Sequence, residues 1–346
     1  MHLTLKDIAA EAGVSAATVS NVINGNRARV SADTRDRILR IVERRGYVPS
    51  APARSLAARS SRIIGLLVPA ADQDSLTLSP HTAGIIGMLE RELRRHDYHL
   101  LLRGIARPAE VTEVLRSWNL DGAVLLGFLD AEIDRLGRRS VGDVALVAMD
   151  AYADNPLTLG VRSDDREGGR LAARHLLGLG HRRIAFAGPA SSATGVVRRR
   201  YEGFRLAFAE TGAAWDEDLR LTVDTTHASG REAGLRLAAD RPDATAVFAT
   251  ADVLAIGLME GLAAAGRTVP GDVSVVGYDD IDIARYVAPK LTTVAQDLQA
   301  KSAAAVRLLL DRLAGGAPPD AAVTLDVRLI LRGTTAPPCT PESPGR

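Results

Sequence analysis

Residues 4–25, TLKDIAAEAGVSAATVSNVING, decide the fold of the amino-terminal region. Thr4 is placed to cap a first helix, with Asp7 at its third position to favour the positive helix end. Leu5, Ile8 and Ala12 give that helix one apolar stripe, and Gly13 stops it. Ser15 caps a second helix predicted over residues 16–24, which Asn24 and Gly25 terminate. Two short helices then meet across a three-residue turn, with Ala9 small enough to let them approach, which is the physics of a helix-turn-helix. After a basic loop, Ser31 caps a third helix over residues 32–45, whose Ile38, Ile41 and Val42 can close a core over Val14, Val19, Val22 and Ile23.

Charge separates this head from the rest of the chain. Residues 1–62 carry eleven Lys and Arg against five Asp and Glu, a net of +6; the remaining 32 bases and 37 acids leave −5. A basic head on a mildly acidic body suits a chain whose head alone approaches a polyanion. A chain of 346 residues exceeds one domain, and 46% hydrophobic with 25% charged residues is globular composition, so fibrous and disordered classes are excluded. No run approaches the roughly 20 apolar residues that span a bilayer, and the amino terminus lacks a basic segment followed by an apolar one. A cytoplasmic protein without membrane association is expected. The single cysteine, Cys339, offers neither a disulfide framework nor metal-ligand spacing, so no metal site is expected.

From Ile63 onward, short apolar runs alternate with amphipathic segments. IIGLLV, YHLLL, AVLLG, VALVAM, RIAFAG, LRLTV, ATAVFA and VSVVG read as strands buried on both faces. Helical patterns lie between them near residues 82–95, 164–179, 195–211, 228–239 and 252–265. Such alternation predicts doubly wound parallel sheets, with room for two. The tail supplies a strand in LTTV, a helix over 297–314 and a strand in VTLDVRLIL. The expected organisation is a helix-turn-helix domain (1–49), a linker (50–62), a two-lobed domain (63–333) and a disordered tail (334–346). Lobe one would take about 63–160 and 291–320, and lobe two about 161–290 and 321–333.

The ordered run LKDIAAEAGVSAATVSNVINGNRARVSADTRDRILRIVERRGYVPSAPARSLAARSSRIIGLLVP, residues 5–69, resembles the head and hinge of the lactose-repressor (LacI) family of bacterial transcription regulators. The likeness continues through HLLGLGHRRIAFAGP, RRRYEGF, DVLAIGLMEGLAAAG and LTTVAQDLQAKSAAAVRLLLDRL, covering roughly residues 3–333. The resemblance implies an all-α head and hinge helix followed by an α/β, periplasmic-binding-protein-like core of two lobes. It further implies a homodimeric repressor that grips a near-palindromic double-stranded operator and answers to a small-molecule effector, such as a sugar, held between the lobes. No cofactor and no catalytic residue is implied.

By the same likeness, Ala16, Ala17 and Asn21 occupy base-reading positions. An alanine methyl can only meet a thymine methyl, whereas Asn can make two hydrogen bonds to an adenine edge. Thr18, Ser20, Asn24 and Thr34 are placed to contact phosphates, which set register without reading sequence. Thr4, Ser15 and Arg54 complete the candidate DNA-binding set, with Leu56 matching the leucine that wedges between bases at the operator centre. Pro52 departs from the helix-favouring aliphatic often found in the hinge. In the core, Arg200 matches the family's effector-binding arginine, Asp279 an acid that accepts from sugar hydroxyls, and Asp150 a third candidate.

Two departures bear on the ligand. PAADQDSLTLSPHTAG replaces the family's Asn-Pro-Phe-like loop and supplies no aromatic ring, and Thr250, Ala251 and Asp252 stand where relatives often have Asn before Asp. Ser79 and His81 lie in reach of the cleft, although a surface position is the expectation for a lone His. No phosphate loop, nucleophile elbow or dinucleotide fingerprint occurs, which argues against an enzyme. The alternative is a ligand carrier of the same bilobed fold, against which the basic head and the missing export signal count.

Overall fold

A computed structural model describes residues 3–23, 30–47, 60–70, 76–190, 194–316 and 322–339. It divides the chain into two compact units, Met1–Arg62 and Ile63–Arg346.

The first unit holds α1 (Leu5–Ala12), α2 (Ala16–Ile23) and α3 (Ala32–Arg45). Thr4 and Asp7 form a reciprocal capping box, the Asp7 N–H donating to Thr4 Oγ1 and the Thr4 N–H to Asp7 Oδ2 at 2.8 Å. Gly13 closes α1 at φ +63°, a conformation that costs glycine little. Thr18 donates its N–H to Ser15 Oγ at 3.1 Å, and Thr34 to Ser31 Oγ at 3.4 Å, so both expected caps form. The expected core assembles around Ile8, Ala12, Val19, Val22, Ile38 and Ile41, with Tyr47 added to it. Glu11 receives Arg45 at 2.8 Å and also Arg44, joining α1 to α3 at the surface.

The second unit contains β1 (Ile63–Pro69), α4 (Pro80–Arg95), β2 (His99–Ile105), α5 (Pro108–Ser117), β3 (Gly122–Leu126), α6 (Asp130–Asp134), α7 (Arg138–Val141), β4 (Ala145–Met149) and β5 (Thr158–Ser163). There follow α8 (Asp165–Gly178), β6 (Ile184–Gly188), α9 (Val196–Glu210), β7 (Arg220–Thr222), α10 (His227–Asp240), β8 (Ala246–Ala249), α11 (Asp252–Ala264) and β9 (Ser274–Asp279). The chain ends with β10 (Thr292–Gln296), α12 (Leu298–Leu313), β11 (Ala322–Leu325) and β12 (Val327–Ile330). Two six-stranded sheets result, ordered β11-β5-β4-β3-β1-β2 and β12-β10-β9-β8-β6-β7. Every pairing is parallel except β12 against β10.

Each sheet is covered on both faces. On β1, Ile64, Leu66 and Val68 enter one cluster with Ile85 and Leu89 of α4, while Leu67 faces the other with Val111 and Leu115 of α5. The second sheet collects the scarce aromatic residues on one face, where Phe186, Tyr201, Phe204, Phe208, Phe248 and Tyr278 pack together. Its other face is aliphatic, with Leu237, Leu254, Leu258 and Leu262 among its buried residues, and there glycines let α10 and α11 touch backbone to backbone. A Cβ on Gly230 would lie 2.3 Å from Leu254 O, and one on Gly257 2.1 Å from His227 O.

Three expectations are corrected. Strand β5 carries no all-apolar run, because Thr158, Arg162 and Ser163 interrupt it, and its pattern therefore escaped the strand reading. Residues 292–296 belong to the second sheet rather than to lobe one, since β10 pairs with β9. The stretch VTLDVRLIL is not one strand of lobe two: β11 pairs with β5 in the first sheet and β12 with β10 in the second, with only Asp326 between them.

The tail expected to be disordered from residue 334 is instead docked on lobe two as far as it is described. Thr334 is fully buried, accepting from the Thr292 N–H at 2.8 Å and donating to Val275 O at 2.7 Å. The Ala336 N–H donates to Ser274 Oγ, and Cys339 Sγ donates to Gly271 O. Its short polar side chains satisfy strand-end backbone groups that would otherwise be orphaned.

Candidate functional site

The chain passes between the lobes three times, from β5 into α8, from β10 into α12, and from β11 into β12. These passages are joined. Asp164 N–H donates to Leu325 O at 2.8 Å, and Ser163 Oγ donates to Gln296 Oε1 at 2.8 Å. Beside them lies a cavity of about 330 Å³ walled by both lobes, a size typical of small-molecule sites.

The three expected effector residues all line this cavity, and each already has partners. Asp150 follows β4 at φ +55°, and Asp279 ends β9 at φ +117°. Backbones of this kind are strained for residues other than glycine, and such strain concentrates at functional sites. Arg200, on the first turns of α9, places Nε and Nη2 2.8 Å from Asp165 Oδ1, donates Nη1 to Thr250 O, and lies 3.5 Å over the Tyr278 ring. Burial opposes the Arg200 charge, but the Asp165 carboxylate outweighs it and raises the guanidinium above its ordinary value. Asp279 accepts from Gln296 Nε2 at 2.7 Å.

Asp150 accepts from Lys301 Nζ at 2.5 Å, and this lysine also donates to Gln296 Oε1. Burial alone would raise the Asp150 carboxyl, yet the Lys301 ammonium and the His81 hydrogen bond hold it well below the usual carboxylate range. His81 is not a surface residue. It sits in the first turn of α4 with Nε2 3.1 Å from Asp150 Oδ2 and Nδ1 3.6 Å from Asp279 Oδ1, bridging the lobes. Asp252 is buried beneath, accepting from Thr293 Oγ1 at 2.5 Å and the Ile281 N–H at 3.0 Å; burial and the nearby Asp279 charge push its carboxyl well up.

Ligand candidates and lobe crossings thus form one hydrogen-bonded network, running Asp150, Lys301, Gln296, Asp279 with Ser163 attached. Lys301, Gln296 and Asp165 escaped the sequence reading. Lys301 did leave a signal: it shares a helical face with Ala304, Ala305 and Leu308, an apolar stripe on which a lysine is out of place unless paired. Gln296 and Asp165 had none, because their roles depend on tertiary partners such as Ser163, 133 residues from Gln296, and Arg200, 35 residues from Asp165.

In the head, Ala17 and Thr4 are exposed, while Thr18, Ser20, Asn21 and Thr34 are half-buried. Ala16 packs partly against the head core. Ser15 is engaged as the α2 cap, its Oγ 2.9 Å from Thr18 Oγ1. Asn24, Arg54 and Leu56 lie outside the described residues. No described helix is long and apolar enough to cross a membrane.

Residues 4–50 match the bacterial regulatory proteins of the lacI family, and residues 173–335 match a periplasmic binding protein-like domain. The HTH-type transcriptional repressor PurR of Photobacterium profundum is 33% identical over 317 residues, 90% of this chain and 92% of its own length. A solved complex of the transcriptional regulator CelR with cellobiose is 31% identical, covers 96% of this chain and 99% of its own, and superposes with a TM-score of 0.71. The lac repressor dimer bound to operator and the anti-inducer ONPF is 25% identical, covering 97% of this chain and 100% of its own at a TM-score of 0.84.

Proposed function

The chain belongs to the lacI family of bacterial regulatory proteins, and on that premise we propose that it is a dimeric, operator-binding repressor switched by a small molecule held between its lobes. Relatives of this kind are transcriptional regulators, and solved relatives hold cellobiose or ONPF. The observation that carries the ligand half of this reading is the network that joins Asp150 and Asp279 to the three lobe crossings. A ligand that competes for any of these bonds alters the crossings themselves, and a coupling of about 1 to 3 kcal/mol changes operator affinity five- to 150-fold.

The DNA half rests on the head. Helix α2 lies in the major groove with Ala17 and Asn21 toward base edges, and Thr4, Thr18, Ser20 and Thr34 toward phosphates. Ala16 contributes less than its position in the motif suggests, being turned partly into the core. Asn24, Arg54 and Leu56 are assigned from the family resemblance. Two-fold pairing of protomers gives a near-palindromic operator, and the exposed Ile283 and Tyr286 supply apolar surface for such pairing. The protein works in the cytoplasm, where its DNA is.

Gel retardation with short genomic fragments tests this. The full chain shifts a palindromic site with steep salt dependence, as phosphate neutralisation requires. Removing residues 1–62 abolishes the shift while ligand-induced stabilisation of the second unit persists. Retardation by the truncated protein would place DNA binding elsewhere.

A further inference from the structure

Most polar side chains around the cavity are partnered within the protein, and the exceptions are informative. Among the described residues, three buried atoms on cavity-lining residues have no hydrogen-bond partner: Asp130 Oδ2, Thr250 Oγ1 and His81 Nδ1, the last of which already has the Asp279 carboxylate 3.6 Å away. Asp130 is 5% exposed and Thr250 2%. Asp130 opens α6 in lobe one; Thr250 follows β8 in lobe two. A buried polar atom left unpaired is costly and calls for an explanation.

Both residues are held in place by other bonds. Asp130 Oδ1 accepts the Tyr152 N–H at 2.8 Å, which leaves Oδ2 as the spare oxygen. Thr250 is held on both sides of its peptide, donating its N–H to Ala187 O at 2.9 Å and accepting Arg200 Nη1 at its carbonyl. Gly188 presses on it from behind, since a Cβ there would lie 2.4 Å from Thr250 Oγ1. Both groups are preorganised, one on each lobe.

The charge around them sets what they accept. Asp130, Asp150 and Asp279 line the cavity and Asp165 lies behind it, four acids against Arg200 and Lys301, both already paired with acids, and His81, which is shared between Asp150 and Asp279. The wall is net negative, so a second anion is repelled while hydroxyl or amine donors are welcome.

We propose that Asp130 and Thr250 are the effector-selecting pair, each hydrogen-bonding an uncharged ligand from its own lobe, and that the site rejects the phosphorylated form of that ligand. This deepens the ligand half of the function above and rests on it. A ligand held by both groups ties the lobes together, so affinity and lobe closure are read by the same two contacts.

Thermal shift on the full-length protein tests the pair with cellobiose, ribose and ribose 5-phosphate as probes, comparing wild type with Asp130→Asn and Thr250→Val. Both variants keep the shape and remove the spare acceptor or hydroxyl. Without ligand, each is expected to melt at or above the wild-type temperature, since no internal bond is lost. A sugar that stabilises wild type binds each variant at least about tenfold more weakly, and ribose 5-phosphate stabilises wild type less than ribose does. A lowered ligand-free melting temperature in either variant, undiminished sugar binding, or stronger stabilisation by the phosphate overturns the proposal. If neither sugar stabilises wild type, the ligand-free comparison decides alone. Gel retardation of an operator by both variants keeps the repressor reading separate: its loss in wild type would sink that reading without touching the ligand contacts.

Discussion

Lys301 Nζ lies 2.5 Å from Asp150 Oδ1 with none of the lysine side chain exposed. The pair fastens the end of a lobe-one strand to the helix that follows the second lobe crossing, and Gln296 at that crossing shares the same ammonium. Removing one partner of a buried ion pair leaves an uncompensated charge, which costs about 3–5 kcal/mol.

Lys301→Met is therefore expected to destabilise the core by about that amount in denaturant unfolding. Adding Asp150→Asn should recover part of the loss, because no charge then remains buried. The Asp150 carboxyl is held low in the folded protein, so its contribution is full above the ordinary value of 3.8 and fades as pH falls below it. Independent, additive effects of the two substitutions would show that the pair is not coupled.

Arg200→Ala should not act as a clean ligand-blind variant. Burial raises the Asp165 carboxyl, Arg200 opposes that rise, and Asp165 also accepts from the Tyr152 and Tyr278 hydroxyls. Deleting the guanidinium strands the acid, at a cost of about 3–5 kcal/mol. A urea midpoint equal to wild type would make Arg200 dispensable to the fold and return it to a purely ligand-binding role.

The docked tail should loosen in acid. His181 is 1% exposed; its Nε2 lies 2.9 Å from Ala336 O and must donate there, and its Nδ1 lies 2.9 Å from Thr245 Oγ1. His175 Nε2 lies 3.0 Å from Thr335 Oγ1. Burial lowers both imidazoles below the ordinary 6.5. The folded state thus favours neutral His, so their stabilising contribution is complete above about 6.5 and is lost as pH falls from there toward the folded-state values. Melting temperature recorded from pH 7.5 to 5 should fall, and His181→Gln should flatten the slope. An unchanged slope would assign the pH response elsewhere.

Gly169→Ala tests how Arg200 is positioned. A Cβ at residue 169 would sit 1.9 Å from Arg200 O, and one at Gly203 1.7 Å from Arg166 O, so α8 and α9 cross on their backbones. Overpacking there is expected to cost about 1–3 kcal/mol and to weaken ligand response together with stability. Wild-type stability with an intact response would mean that the crossing can open without moving Arg200.

The sequence by itself determined whatever depends on near neighbours. Thr4 with Asp7, Ser15 with Thr18 and Ser31 with Thr34 are three residues apart, so the head's helices and caps were legible, as were the eight apolar runs that became β1–β4 and β6–β9. Charge placement and the ordered motifs pointed to a DNA-binding head and a ligand-binding body. Only the tertiary structure decided where the lobes exchange chain, because Asp326 carries no local mark of being the single residue between two sheets. The same holds for Asp150 with Lys301, separated by 151 residues, and for the tail against Ser274 and Thr292. Burial and pairing belong to the folded surroundings, and a side chain that is solvated in one packing becomes a paired charge or an unpaired acceptor in another.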